Sequence, residues 1–151
     1  MSGLQRRDLL ASGTLLVLSV RPVQAQTPAL AGVLADAVRA WSGGAMPRDG
    51  RVTLDIAQLV DNGNAVPISV RVASPMSEAD HVREIVVFNE RNPQRDVLRC
   101  EMGPANGRAE FSSRIRLATS QQLVAVARLS DGSLWQQRAD VLVTLAACIE
   151  G

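Results

Sequence analysis

From Arg51 to Ala146 the chain is cut into short apolar runs by turn-forming residues, and that spacing favours a stack of β-strands over other folds. Runs at about 51–59, 66–73, 82–90, 96–102, 108–118, 121–129 and 133–146 read as strands. Asp61-Asn62-Gly63-Asn64, Asn92-Pro93 and Asn106-Gly107 mark breaks between them. Ser130-Asp131-Gly132-Ser133 predicts a two-residue hairpin with positive φ at both central positions. Phe111, Ser113, Ile115 and Leu117 alternate with Ser112, Arg114 and Arg116, so one face of that strand is buried and the other wet. Ile85-Val86-Val87-Phe88 is apolar on both faces, as a central strand is. About seven such strands predict an all-β, immunoglobulin-like sandwich.

One short helix is predicted ahead of the strands. Thr27 can cap it and Pro28 suits its first position. Leu30, Val33, Leu34, Val38 and Trp41 recur at helical spacing, and Gly43-Gly44 end the element. This face is expected to pack on the domain, with docking onto a partner as the alternative.

The first 25 residues read as an export address. Arg6-Arg7-Asp8-Leu9-Leu10 opens an apolar run that reaches Val20, and Val23-Gln24-Ala25 suits cleavage before Gln26. Residues 1–25 are therefore expected to be a twin-arginine signal peptide and 26–151 a single domain. The apolar run is too short to serve as a transmembrane anchor. The expected destination is the periplasm, where two cysteines can pair.

Charge and composition narrow the chemistry. Without Arg6, Arg7, Arg21 and Asp8 the remainder carries 13 arginines against 14 acids, and the chain has no lysine or tyrosine. A near-neutral domain speaks against nucleic acid and electrostatic membrane binding. Four aromatic side chains, Trp41, Phe88, Phe111 and Trp135, are too few for a base-stacking platform. With one histidine, His/Cys metal clusters are excluded, and neither a phosphate-binding glycine loop nor HExxH is present. No cofactor is expected. His81 follows Met76-Ser77-Glu78-Ala79-Asp80 in a polar loop and reads as solvated rather than as a catalytic base.

The two cysteines have different settings. Cys100 shares a strand face with Leu98 and Met102, which reads as a buried apolar thiol. Cys148 lies three residues from the C-terminus, with no neighbouring His or Cys. It can pair with Cys100, be inert, or act as an exposed nucleophile, and periodicity does not choose among these.

A set of colinear fragments adds to this reading. Gly50-Arg51-Val52-Thr53-Leu54, Asp61-Asn62-Gly63-Asn64-Ala65-Val66-Pro67-Ile68-Ser69-Val70 and Ser74-Pro75-Met76 come first. Val87-Phe88-Asn89-Glu90-Arg91-Asn92-Pro93, Arg114-Ile115-Arg116-Leu117-Ala118 and Ser130-Asp131-Gly132-Ser133-Leu134-Trp135 follow, and a cysteine-bearing tail closes the series. In this order, behind a twin-arginine leader, they resemble the SoxY family, the sulfur-carrier subunits of the periplasmic thiosulfate-oxidising complex.

The resemblance implies a non-enzymatic carrier with an immunoglobulin-like fold, paired with a SoxZ-like subunit. It implies that Cys148 attaches thiosulfate or other reduced sulfur covalently. A c-type cytochrome enzyme would couple the substrate, and hydrolase and oxidase partners would process the adduct. The thiolate is the reactive form, and a tethered thiol gains effective concentration inside each partner. The family's best-known ending is Gly-Gly-Cys-Gly-Gly, whereas this chain has Ala146-Ala147-Cys148-Ile149-Glu150-Gly151. The alternative reading is a periplasmic adaptor of the same fold whose cysteine is structural or disulfide-bonded.

Overall fold

The computed structural model describes residues 32–145, which form one helix, nine strands and a single 3-10 turn. The helix α1 spans Gly32–Ser42 and the strands are β1 (Arg48–Asp49), β2 (Val52–Asp55), β3 (Leu59–Asn62), β4 (Val66–Val72), β5 (Val82–Asn89), β6 (Asp96–Glu101), β7 (Ala109–Ile115), β8 (Gln121–Leu129) and β9 (Leu134–Leu145). The larger sheet runs β1-β9-β8-β5-β6 with β3 also beside β9, and the smaller runs β2-β4-β7. The chain switches sheets early: β2 pairs antiparallel with β4, then β3 pairs parallel with β9. This is an immunoglobulin-like β-sandwich.

Alternation along the strands builds the core between the sheets. Val66, Ile68, Val70 and Val72 of β4 face Ile85, Val87, Leu123, Ala125 and Ala127 of β5 and β8, all 4 % exposed or less. The other faces of β5 and β8 are buried as well. Val86, Phe88, Val124 and Val126 lie under α1, against Leu34 and Val38. The two-sided apolar run at Ile85–Phe88 thus reflects a central strand with a helix on its back. Arg128 fastens the helix: its Nη2 donates to the Trp41 carbonyl at 3.1 Å, its guanidinium lies 4.3 Å from the Trp41 ring centre, and Trp41 meets Phe88 edge-on at 6.0 Å. Val33, read from spacing as part of the packed face, is 45 % exposed and points away from it. Thr27, Pro28 and Leu30 lie outside the described residues.

Nine strands replace the seven or so expected because the run at about 51–59 divides into β2 and the start of β3, and the two-residue β1 precedes it. Gly50 and Arg51 have φ of 121° and 57°, which separates β1 from β2. The chain then crosses between sheets at Ile56–Gln58. Asp61 and Asn62, read as a turn, belong to β3, where pairing with β9 overrides local turn preference.

The hairpin between β8 and β9 also differs from the expectation. Its loop has three residues: Leu129 N–H donates to Ser133 O at 3.0 Å, Gly132 N–H to Leu129 O at 3.0 Å, and Gly132 alone has positive φ, 83°. A type I turn followed by a left-handed glycine accommodates the strand twist as well as a two-residue turn does. The Asp131 carboxylate accepts from the Ser133 hydroxyl and N–H, and these bonds hold its pKa below the ordinary value. On the wet face of the smaller sheet, the hydrogen bond and charge of Arg71 lower Glu110 in the same way.

Gly50 is where the fold most needs glycine. A Cβ there would meet the Trp135 ring at 3.4 Å, and the Arg48 guanidinium already stacks 4.4 Å from that ring's centre. Gly50→Ala is expected to destabilise the domain by about 1–3 kcal/mol, since φ of 121° lies in a region side chains avoid. Urea denaturation measures this, and an unchanged midpoint would contradict it.

Candidate functional site

β9 outruns its neighbour. β8 starts at Gln121 opposite Val141, so Leu142–Leu145 project past the larger sheet's main body. Strand ends of this kind leave backbone groups unpaired unless something else meets them. Here β3 covers one flank, with Leu59, Val60 and Asn62 in register with Leu142, Val143 and Leu145. Leu142 N–H donates to Gln58 O at 2.7 Å, Gly63 N–H to Leu145 O at 2.9 Å, and the Thr144 hydroxyl to Asp61 O at 3.0 Å. On the other flank the Ser120 hydroxyl accepts from Val143 N–H at 2.8 Å, replacing the missing β8.

The clamp is itself braced. Leu117 N–H donates to Gly63 O at 2.8 Å, tying the β7–β8 loop to the β3–β4 turn. Asn92 joins the same loop to the β5–β6 loop: its amide donates to Arg116 O at 2.7 Å, and its Oδ1 accepts from Ala118 N–H at 2.9 Å and from Gln121 Nε2 at 2.8 Å. Fully buried Asn89 accepts from Asn92 N–H at 2.8 Å and donates to the Gln94 and Arg95 carbonyls. Leu145 therefore sits on a hydrogen-bonded platform that fixes where the following residues leave the domain. Sequence reasoning found Asn92 and Gly63 as loop markers and missed their role; Ser120 carried no signal at all.

Cys148, the residue singled out from sequence, lies outside the described residues. Chain length still limits its position. Three residues past Leu145 span at most about 11 Å.

The other two candidates are far from that reach. Through the ladder, Cys100 is level with Ile85, Ala127 and Trp135, three strands across from β9 and ten residues back from Leu145. At about 3.3 Å per residue along strands and about 4.8 Å between them, the separation is on the order of 30 Å. A disulfide needs Cα atoms within about 7 Å, so Cys100 and Cys148 of one chain cannot pair. Cys100 is half-buried on edge strand β6, not fully buried as its strand face implied, because no strand covers β6 on its outer side among the described residues. His81 precedes β5 beside the β8–β9 hairpin, at the opposite end of the sandwich, with Nδ1 3.0 Å from Ser77 O. It is structurally engaged and equally out of reach.

Among the described residues, no three His, Cys, Asp or Glu side chains gather into a metal-binding group, and no helix is long and apolar enough to cross a membrane. A depression of about 610 Å³ runs between β2 and β9, where Asp49, Gln122, Gln136 and Arg138 meet Val52, Leu54 and Ile56.

Fold and site together define an immunoglobulin-like β-sandwich that anchors the end of β9, three residues before Cys148. Residues 38–148 match the family described as sulfur oxidation protein SoxY, and the chain belongs to that family. The structure of the sulfur carrier protein SoxY from Chlorobium limicola f thiosulfatophilum is 25 % identical, with a TM-score of 0.62 over 74 % of this chain and 91 % of that one. A superoxide reductase (neelaredoxin) from Ignicoccus hospitalis shares the fold at 17 % identity and TM-score 0.56, covering 62 % of this chain and 80 % of that one. A putative superoxide reductase from Thermotoga maritima does so at 20 % and 0.55, covering 64 % and 93 %. At these identities the likeness to the reductases is one of fold alone. No curated protein sequence matches the chain.

Proposed function

We propose that this protein is a periplasmic sulfur carrier, exported by the twin-arginine route, whose Cys148 holds thiosulfate-derived sulfur for partner enzymes. The observation that carries the reading is the extent of the family match, which begins in α1 and runs through to Cys148. The domain supplies an anchored strand end, and Cys100 and His81 lie out of the tail's reach, which suits a protein whose chemistry is done by others.

In the loading step the Cys148 thiol loses its proton to solvent and its sulfur bonds to the outer sulfur of thiosulfate. The product is a cysteine S-thiosulfonate, Cys–S–S–SO3⁻. Two electrons are released and pass to a c-type cytochrome partner. A hydrolase partner then acts on the sulfonate end, and a SoxZ-like subunit completes the carrier as a heterodimer. An adaptor with a Cys100–Cys148 bridge is the poorer reading, since the two residues are too far apart within one chain.

The test is intact-mass and peptide spectrometry after incubation with thiosulfate and the coupling cytochrome. A gain of one S–SO3 unit at Cys148 is expected, absent in Cys148→Ser and unaffected by Cys100→Ser. Absence of any adduct on the unsubstituted protein, with the cytochrome shown to be active, would overturn the carrier reading.

A further inference from the structure

β6 is the open edge of the larger sheet: β5 covers one side of it, and no strand covers the other among the described residues. Met102 N–H donates to Arg83 O at 2.8 Å, so Met102, Cys100 and Leu98 turn their backbone groups to β5. Arg99 and Glu101 turn theirs outward to the open edge. The Cys100 sulfur leans the same way, 3.8 Å from Glu101 O. Edge strands are ordinarily blunted by charge. Here the two charges are of opposite sign and stand symmetrically about Cys100, in the run Leu98-Arg99-Cys100-Glu101-Met102.

We infer that this edge pairs with the same edge of a second copy of the chain, antiparallel and centred on Cys100. Residues that face the edge must pair with residues that face the edge, which leaves few two-fold registers. A register centred on Arg99 or on Glu101 sets like charges opposite each other. One centred on Leu98 sets Arg99 against Val97 and Cys100 against Asp96. The register centred on Cys100 sets Arg99 against Glu101 twice, and it sets Leu98 against Met102 twice, both of which pack on the core. It also answers an imbalance within the chain. Glu101 lies opposite Glu84 in the β5–β6 ladder, while Arg99 holds the ion pair with Glu84 at 3.5 Å. The second copy's Arg99 gives Glu101 a cation that it does not have among the described residues. At the centre, Cys100 meets its counterpart in a pair without backbone hydrogen bonds, where Cα atoms lie about 4.5 Å apart. A disulfide bridges that span. Five paired residues are small against the roughly 800 Å² per partner of a stable interface, so the contact is reversible until the sulfurs join. Joining them releases two protons and two electrons, which an external disulfide takes up as it leaves as two thiols.

The test uses Cys148→Ser protein, in which Cys100 is the one remaining thiol, treated with oxidised glutathione. Non-reducing electrophoresis and intact mass follow the products. A dimer linked through Cys100 is expected as the main product, ahead of the glutathione adduct. Adding Glu101→Arg sets arginine opposite arginine in the pair and is expected to slow linking about tenfold or more. The same substitution places an arginine opposite Glu84, which favours the fold of the single chain, and the melting temperature verifies this. It also removes a carboxylate beside the thiol, which makes the sulfur more reactive, so a slower link reports lost pairing and not a duller thiol. Equal linking rates in the two proteins, or the glutathione adduct alone, overturn the inference. In a second arm, a SoxZ-like subunit that shields Cys100 from glutathione would assign the edge to that subunit and likewise overturn pairing between copies.

Discussion

Leu34→Ala is expected to lower the stability of the domain by about 3 kcal/mol, a large effect for one residue on a surface helix. Leu34 is fully buried, and with Val38 it fills the outer face of the larger sheet over Val86, Phe88, Val124 and Val126. An isolated helix as short as α1, 11 residues long, is marginal in water and persists through the face it buries. Apart from that face, the helix is held by the Arg128–Trp41 contacts and by Gly44 N–H closing on Arg39 O at 2.9 Å. Truncating Leu34 leaves a cavity that the flat sheet below cannot close. Undocking of the helix would bare four contiguous apolar side chains on β5 and β8. Urea denaturation followed by circular dichroism, with hydrogen exchange at α1, reads the loss. A change below about 0.5 kcal/mol would show that the helix is not fixed to the sheet and that its apolar face is open to a partner.

That helix illustrates what a sequence of this type discloses. Spacing identified its buried stripe through Leu34, Val38 and Trp41, yet it also included Val33, which sits one step around the cylinder and faces solvent. The two-sided run at Ile85–Phe88 was legible because a strand buried on both faces, as β5 and β8 are, cannot alternate apolar and polar residues. β3 was not legible. Asp61 and Asn62 are turn formers by local chemistry, and they are strand residues here because β9 offers them a backbone to pair with about eighty residues later. β1 has two residues, too few for any period to show. At the candidate site the pattern is similar. Position near the C-terminus singled out Cys148 and family resemblance gave it a role, but Gly63 through its backbone and Ser120 and Asn92 through their side chains meet backbone groups of distant segments, and such contacts leave no periodic trace.

Deleting Ala146 and Ala147 is expected to reduce enzyme-catalysed loading of Cys148 by about a hundredfold or more, while the thiol stays reactive toward dithiobis(nitrobenzoate). The tail's attachment point does not move. Leu145 is held by Gly63, and Leu142, Val143 and Thr144 by Gln58, Ser120 and Asp61. The sulfur's reach is therefore set by residue count, and the deletion cuts it from about 11 Å to about 3.6 Å. At that length a partner would have to admit the end of the sandwich itself in order to reach the sulfur. Replacing Ala146-Ala147 by Gly-Gly keeps the reach and alters backbone freedom alone, so loading is expected to stay within about threefold of the natural protein. The pair of variants separates reach from freedom, the two properties in which this tail could differ from its glycine-flanked relatives. Steady-state loading rates by mass spectrometry decide the matter. If the deletion loads as fast as the natural chain, the partner's chemistry must occur at the surface of the domain, and an arm that enters an enzyme is the wrong picture.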